Sequence, residues 1–282
     1  MRFFKALILL LLALVVFGSG GFFTYLWVVR PKLMLKQELN GRTAASGEQA
    51  PPADPSLPEF ENAMKLKKSG DLVQAQAALA VFVEHNPHSA RIAEARTALG
   101  EVNTDIFFST IPSPDKEQYV VQPGDALAKI EKKLKTNAEL LTRSNNLNDP
   151  GKLRVGQVLI VSHPQFSLVV NRRERTVTLL NKGNFFKQYP VKAWNVPDTK
   201  SPLAANVKVK EKIAWKDGAR VSFGSKDYAG SSRWVSLTAP GYTLYTDPAE
   251  GGQKAPSGIA LGAEDMEELS TLLTVNLPVT ME

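Results

Sequence analysis

Two stretches decide the reading of this chain: Tyr119-Val120-Val121-Gln122-Pro123-Gly124-Asp125-Ala126-Leu127, and Leu153-Arg154-Val155-Gly156-Gln157-Val158-Leu159-Ile160-Val161. Both ends of the segment they bound are rich in apolar, β-branched residues and are punctuated by Pro-Gly and Val-Gly, which marks short strands flanked by turns. Between them the apolar spacing changes to that of helices. Leu127, Ile130 and Leu134 share one helical face, and Leu140, Leu141 and Leu147 form another after a break at Lys135-Thr136. The expected order is therefore β-α-α-β over residues 118–162.

The opening Y-x-V-x-P-G-D-x-L, the central N-A-E-L-L-x-x-x-N-x-L and the closing L-R-V-G-Q-x-L together resemble the LysM domain. The resemblance implies a ligand, peptidoglycan or a related N-acetylglucosamine polymer, held between two loops. The first loop contains Gly124, Asp125, Ala126 and Leu127; the second contains Asn146, Leu147, Asp149, Pro150, Leu153 and Val155. The chemistry suits a sugar. A glycine lets the backbone come close, loop amides and carbonyls pair with N-acetyl groups, and Leu127, Leu147 and Leu153 can cover an apolar sugar face. Ala126 stands where the family often has Thr. Asp125 has a competing structural reading as the side-chain cap of the first helix, and Asn146 as a cap or turn residue. No cofactor and no metal are implied.

Working outward toward the amino terminus, Phe60, Ala63 and Met64 repeat at helical spacing, Gly70-Asp71 interrupts, and Leu72, Ala75, Leu79 and Phe82 resume as far as Asn86-Pro87. A third helix carries Ile92, Ala95 and Leu99. Residues 58–108 resemble one tetratricopeptide hairpin plus a helix. A single unit cannot stack into a groove, so a packed spacer is expected, with a protein-docking site as the alternative. His85 and His88 have no carboxylate pair beside them to suggest a metal site. Residues 33–57 read as a flexible linker, rich in Gly, Ala, Ser and Pro. Residues 6–29 are uncharged and dominated by Leu, Val and Phe, enough to span a bilayer, and follow Arg2 and Lys5. Residues 1–32 are read as an uncleaved membrane anchor, with a signal cut near residues 18–21 as the alternative. Since wall polymer lies outside the cytoplasmic membrane, the bulk of the chain is expected in the periplasm or cell-wall space.

Toward the carboxy terminus, strand patterns appear at residues 166–170, 175–180, 185–191, 207–213, 234–237 and 241–246, with a turn at Lys182-Gly183. A helix opening on Asp265-Met266-Glu267-Glu268 is expected, Asp265 capping it and Glu268 reaching back, before a last strand at Leu277-Pro278-Val279-Thr280. The hairpin L-V-V-N-R-R-E-R-T-V-T-L-L, the 241–246 strand and the run G-I-A-L-G-A-E-D-M-E-E-L make residues 165–282 resemble an L,D-transpeptidase domain. The whole chain is then α+β and multidomain: a transmembrane helix, a helical hairpin, the βααβ module and a mainly β domain.

That resemblance implies a Cys nucleophile assisted by His, with an Arg two positions on. The chain holds no Cys at all, which also excludes disulfides and zinc-thiolate sites. The matching positions carry Gly258 for the Cys, Ala260 for the Arg, Pro256 for the His of the same motif and Tyr245 for the upstream His. Ser257 is the neighbouring hydroxyl, but it lacks an obvious base. The expectation is a binding domain without turnover; the alternatives are an enzyme with a non-Cys mechanism and a scaffold that docks a protein through the helical segment. Lys and Arg number 34 against 28 Asp and Glu, a formal net charge of +6. This mild, scattered excess favours anionic envelope polymers and gives no nucleic-acid face.

Overall fold

Punctuation residues set the helical segment. The computed structural model describes residues 54–147, 149, 151–196, 206–248 and 254–282, and Pro55–Glu282 form one compact unit. The expected anchor, residues 1–32, and all but the end of the linker lie outside the described residues, among which no helix is long and apolar enough to cross a membrane. Helix α1 (Leu57–Ser69) has Pro58 in its first turn, Lys67 and Lys68 in its last, and ends on Gly70 at φ 81°. Helix α2 (Leu72–His85) is capped by Asp71, whose carboxylate accepts from the Gln74 amide at 3.3 Å. Helix α3 (Ile92–Phe108) completes a small core built on Phe60, Ala63, Leu79, Phe82, Leu99 and Val102.

The β-α-α-β order of the next segment is as read. Strand β1 (Lys116–Val120) pairs antiparallel with β2 (Val158–Ser162), and helices α4 (Leu127–Leu134) and α5 (Ala138–Ser144) lie between them in sequence. Val121, Leu127, Ile130, Leu141, Leu159 and Val161 form its own small core.

The β-rich part contains β3 (Phe166–Asn171), β4 (Thr176–Asn181), β5 (Asn184–Tyr189), β6 (Val191–Asn195), β7 (Val207–Lys216), β8 (Ala219–Val221), β9 (Ser232–Leu237), β10 (Thr243–Thr246), β11 (Gly258–Leu261) and β12 (Pro278–Met281), with helix α6 (Ala263–Leu272) before β12. The sheet order is β5-β4-β3-β12-β7-β9-β10-β11-β6, with β8 paired to β7; β3–β12 and β10–β11 are the parallel pairs. Lys182 and Gly183, at φ 51° and 79°, make the tight β4–β5 hairpin.

Two expectations are corrected, and one strand is added. The run 185–191 is not one strand: it breaks at Pro190, and its halves become opposite ends of the sheet order, so the sheet curls until its two ends meet at that proline. Asp265 does not cap α6. Gly262 occupies the cap position, and Glu268 does not reach back but is buried, accepting from Tyr189 Oη at 2.9 Å and Lys187 Nζ at 2.8 Å. Finally, β8 is an additional strand, made by an Asp217-Gly218 turn with φ 48° and 81°.

The helical segment and the βααβ module share surfaces with the sheet. Gly100 on α3 lies so close to β5 that a Cβ there would meet Lys187 Cγ at 2.9 Å. Asn103 donates to the Phe186 carbonyl at 2.7 Å, satisfying a group on an edge strand. Phe107 enters the main core between Phe166 and Phe186, at 5.5 and 5.8 Å between ring centres. Adjacent leucines on α5 divide their allegiance: Leu141 fills the module's own core, whereas Leu140 is buried in the core of the sheet.

Candidate functional site

The first candidate site is the pair of loops at one end of the βααβ module. Gly124 takes φ +84°, a conformation that favours glycine, and nothing lies within 4 Å of where its Cβ would be, so this loop edge is open. Asp125 is not the helix cap that its position suggests. Ala126 occupies the cap position without a side-chain bond, and the Asp125 carboxylate instead accepts from Tyr119 Oη at 2.6 Å and from the Gln122 amide at 2.8 Å. The Tyr119 hydrogen bond first, then the Gln122 amide, hold its pKa below the ordinary Asp value, with Lys133 and Lys129 adding to the effect. Lys129 Nζ donates to the Gly124 carbonyl at 2.8 Å, and Lys133 Nζ lies 3.1 Å from Tyr119 Oη and 4.9 Å from its ring centre.

The second loop turns at Asn146, φ +49°, and Leu147 donates its amide to the Thr142 carbonyl at 3.0 Å. Asp149 accepts from the Gly151 amide at 3.0 Å and pairs with Lys152 at 2.9 Å. Pro150 lies outside the described residues. The loops are stitched through Val121, whose amide donates to the Gln157 carbonyl and whose carbonyl accepts from Gly156, both at 2.9 Å. Leu127, Leu147 and Leu153 do converge, but on the module's interior: Leu127 is 7% exposed, while Leu147 and Leu153 are half-buried beside it. Ala126 and Asp149 are exposed, and Val155 is 65% exposed. The apolar side chains left accessible here are therefore Val155 and, in part, Leu147 and Leu153.

Two residues absent from the expected set shape this site. Asn145, not Asn146, is the clamp: its side chain accepts from the Ile160 amide at 2.6 Å and donates to the Ile160 and Leu141 carbonyls at 2.8 and 2.9 Å. Phe223, from the segment between β8 and β9, packs onto the module's core. Nothing in the local pattern around Phe223 signals this contact, which depends on tertiary docking.

The second candidate is the β10–β11 region. Tyr245 and Ala260 are register neighbours on parallel strands and both are fully buried. Tyr245 Oη accepts from Asn195 Nδ2 at 2.8 Å, and its ring stands 6.4 Å from that of Trp234. Gly258 sits at φ +151°, and a Cβ there would be driven into the Thr243 carbonyl group and lie 2.7 Å from the Thr243 amide nitrogen. No side chain fits there without moving the backbone. Ser257 Oγ lies 3.2 Å from the Gly241 carbonyl and 3.3 Å from that of Asn195, acceptors that cannot activate it as a nucleophile. His163, the nearest histidine in sequence, pairs with Glu117 at 3.0 Å on the β1–β2 ribbon.

Comparison with known proteins bears on the βααβ module. Residues 119–162 match the LysM domain family, so the chain carries a LysM domain. It is 42% identical over 60 residues to the N-acetylmuramoyl-L-alanine amidase XlyA of Bacillus subtilis, a match covering 21% of this chain and 20% of that one. Among solved structures, the chain is similar to L,D-transpeptidase 1 of Mycobacterium tuberculosis, at 12% identity and TM-score 0.29, over 44% of this chain and 66% of that one. It is also similar to an L,D-transpeptidase of Mycobacterium smegmatis, at 14% identity and TM-score 0.29, over 46% and 64% of the two chains. The chain thus spans a fifth of the amidase and just under two thirds of these transpeptidases.

Proposed function

We propose that this protein binds peptidoglycan, or a related N-acetylglucosamine polymer, and holds it at the cell envelope without turning it over. The observation that carries this reading is the LysM domain at residues 119–162, with a loop whose edge at Gly124 is open. The proposed contact set is Gly124, Asp125, Ala126, Asn146, Leu147, Asp149, Pro150, Leu153 and Val155, with Leu127 as internal support. Residues 1–32 are proposed to anchor the chain in the cytoplasmic membrane, with the remainder in the periplasm or cell-wall space. Residues 165–282 are proposed to be an L,D-transpeptidase-like domain kept for binding. Two observations support that role: the chain has no Cys, and Gly258 has no room for any side chain.

Sedimentation with insoluble peptidoglycan tests the reading. Deleting the LysM domain would be uninformative, because Leu140 would be stripped from the core of the sheet. Ala126→Glu is the better perturbation: it places a charged chain at the open loop, where an acid at a helix N-terminus is tolerated. Retention falling sharply at an unchanged melting temperature is expected; full retention by this variant and by Val155→Asp would refute the site. A second reading, docking of a protein on the helical segment, is favoured by Val73 and Val81 on α2, 55% and 50% exposed. Crosslinking in cells from these positions tests it.

A further inference from the structure

Leu147 and Asp149, two residues of the second LysM loop, also line a cleft of about 970 Å³ shared with the β-rich part. The segment 222–231 between β8 and β9 and the first turn of α6 line it as well. A volume of this size suits a ligand larger than one sugar ring, since small-molecule pockets usually span about 300–1,000 Å³.

The cleft is built on fixed parts. Phe223 is wedged against the LysM core and meets Tyr228 edge-on at 5.2 Å. Tyr228 Oη donates to Glu139 of α5, and Lys212 of β7 reaches the same carboxylate at 3.2 Å. The buried guanidinium of Arg233 lies 3.7 Å from the Tyr228 ring centre and donates to the Tyr228 carbonyl at 3.0 Å. Phe223 and Tyr228 thus hold the segment to LysM and leave Gly224-Ser225-Lys226 between them exposed along the cleft.

The lining carries charge of both signs that the fold does not use. Lys226 of segment 222–231 and Glu264 of α6 are exposed, and neither has an ion pair among the described residues. Asp265 stands half-buried beside Glu264, and on the floor Thr142 Oγ1 is buried with no hydrogen-bond partner among the described residues. A neutral glycan has no group to pair with an ammonium and a carboxylate that line the same polar cleft. A substituent bearing both a carboxylate and an amine does.

We propose that this cleft is a second subsite, continuous with the LysM loop, that takes the charged peptide arm of a peptidoglycan strand, with Lys226 pairing its carboxylate and Glu264 its amine. The proposal rests on the glycan-binding reading and extends it from the sugar to the peptide. It makes the neighbouring domain, through segment 222–231, a specificity element for LysM.

The test is a binding titration of the full-length chain with two probes: soluble peptidoglycan strands with their peptides intact, and the same strands after enzymatic removal of the peptides. The intact strands are expected to bind about tenfold more tightly, with stronger salt sensitivity. Lys226→Glu and Glu264→Lys are each expected to abolish that preference while leaving the bare strand's affinity unchanged, and Lys226→Arg to keep it. Both variants lie on exposed side chains, and an unchanged melting temperature confirms the fold. Equal affinity for the two strands, or a preference indifferent to both charge reversals, overturns the cleft and leaves the LysM reading standing. Binding of intact strands alone, lost in Lys226→Glu, upholds the cleft and overturns the sugar site. Binding of neither strand overturns both.

Discussion

If LysM is built into the molecule through Leu140, then Leu140→Ala must destabilise the protein as a core mutation would, although the residue belongs to a seven-residue helix of a small module. Leu140 is 3% exposed and lies in the core of the β-rich part with Leu269, Leu272 and Phe166. Buried Leu→Ala changes cost about 2.7–5 kcal/mol, combining lost transfer energy with the cavity left behind. Polar contacts around the helix limit how far the site can collapse: Asn137 Nδ2 donates to the Thr271 carbonyl at 3.1 Å, and Arg143 pairs with Glu268 at 3.6 Å. We therefore expect about 3 kcal/mol, or a fall in melting temperature of about 6–12 °C at about 2–4 °C per kcal/mol for a unit of this size. Urea unfolding of the full-length chain, followed by tryptophan fluorescence and circular dichroism, is the assay. All four tryptophans lie outside LysM, and three of them, Trp194, Trp215 and Trp234, belong to the β-rich part, so a variant with Trp27 replaced by Phe gives a fluorescence signal from that part alone while the mutation sits in LysM. A loss under 1 kcal/mol, or a LysM transition separating from an unshifted fluorescence transition, refutes the shared core.

Gly258→Ala should reduce stability strongly, because its Cβ would displace the Thr243 backbone; a Gly258→Cys variant that folds normally and acquires a reactive thiol would contradict the geometry. Lys116→Met removes an ammonium that donates to the carbonyls of Ile106, Ser109 and Ile111 at 2.7, 2.8 and 3.0 Å, closing the end of α3. Burial lowers the Lys116 pKa, but these acceptors compensate, and the loss is expected at about 1.5–3 kcal/mol by thermal or urea unfolding. Asp265 is pushed above the ordinary Asp pKa, chiefly by burial, with Glu268 and Glu264 adding to the rise and Lys187 and Lys192 opposing it. A raised folded-state pKa favours the protonated form. Its stabilising contribution is therefore complete below the ordinary Asp range and lost as pH rises through the raised value. Asp265→Asn should thus melt higher than the parent at pH 7, with the difference closing as pH falls below the ordinary Asp range; a constant difference across that window would exclude ionisation as its cause.

Local patterns carry much of this architecture, and their failures share one cause. The LysM module is legible because its strands, turns and helices are each specified within a few residues, and the Gly124 and Gly156 turns need backbone conformations that glycine supplies. Adjacent Leu140 and Leu141 both read as core, but periodicity cannot say that they serve different cores. Asp125 lies one residue before Ala126, so a cap is the natural local reading. The winning partner, Tyr119 Oη, comes from the preceding strand. Asp265 and Glu268 have a capping-box spacing, yet Glu268 is claimed by Lys187 and Tyr189 from β5, about 80 residues earlier in the chain. Phe223 and the cleft beside it arise only when LysM docks, which no window of sequence contains.

Docking also changes what weak glycan binding can accomplish. A LysM domain swinging on a linker would add affinity only through effective concentration, and what it carried would meet the polymer in any orientation. Here Leu140, Glu139, Asn137 and Arg143 fix α5 against α6 and the sheet, so a strand bound as proposed along the Gly124 and Leu147 loops would meet segment 222–231 at a set distance and angle. Two modest contacts on one rigid body then act together without ordering a linker, and preorganisation of this kind reduces the entropic cost of the second contact. On the reading proposed above, the same rigidity lets the neighbouring domain serve binding: its contribution is a wall, two unpaired charges and a fixed orientation for the loop beside it.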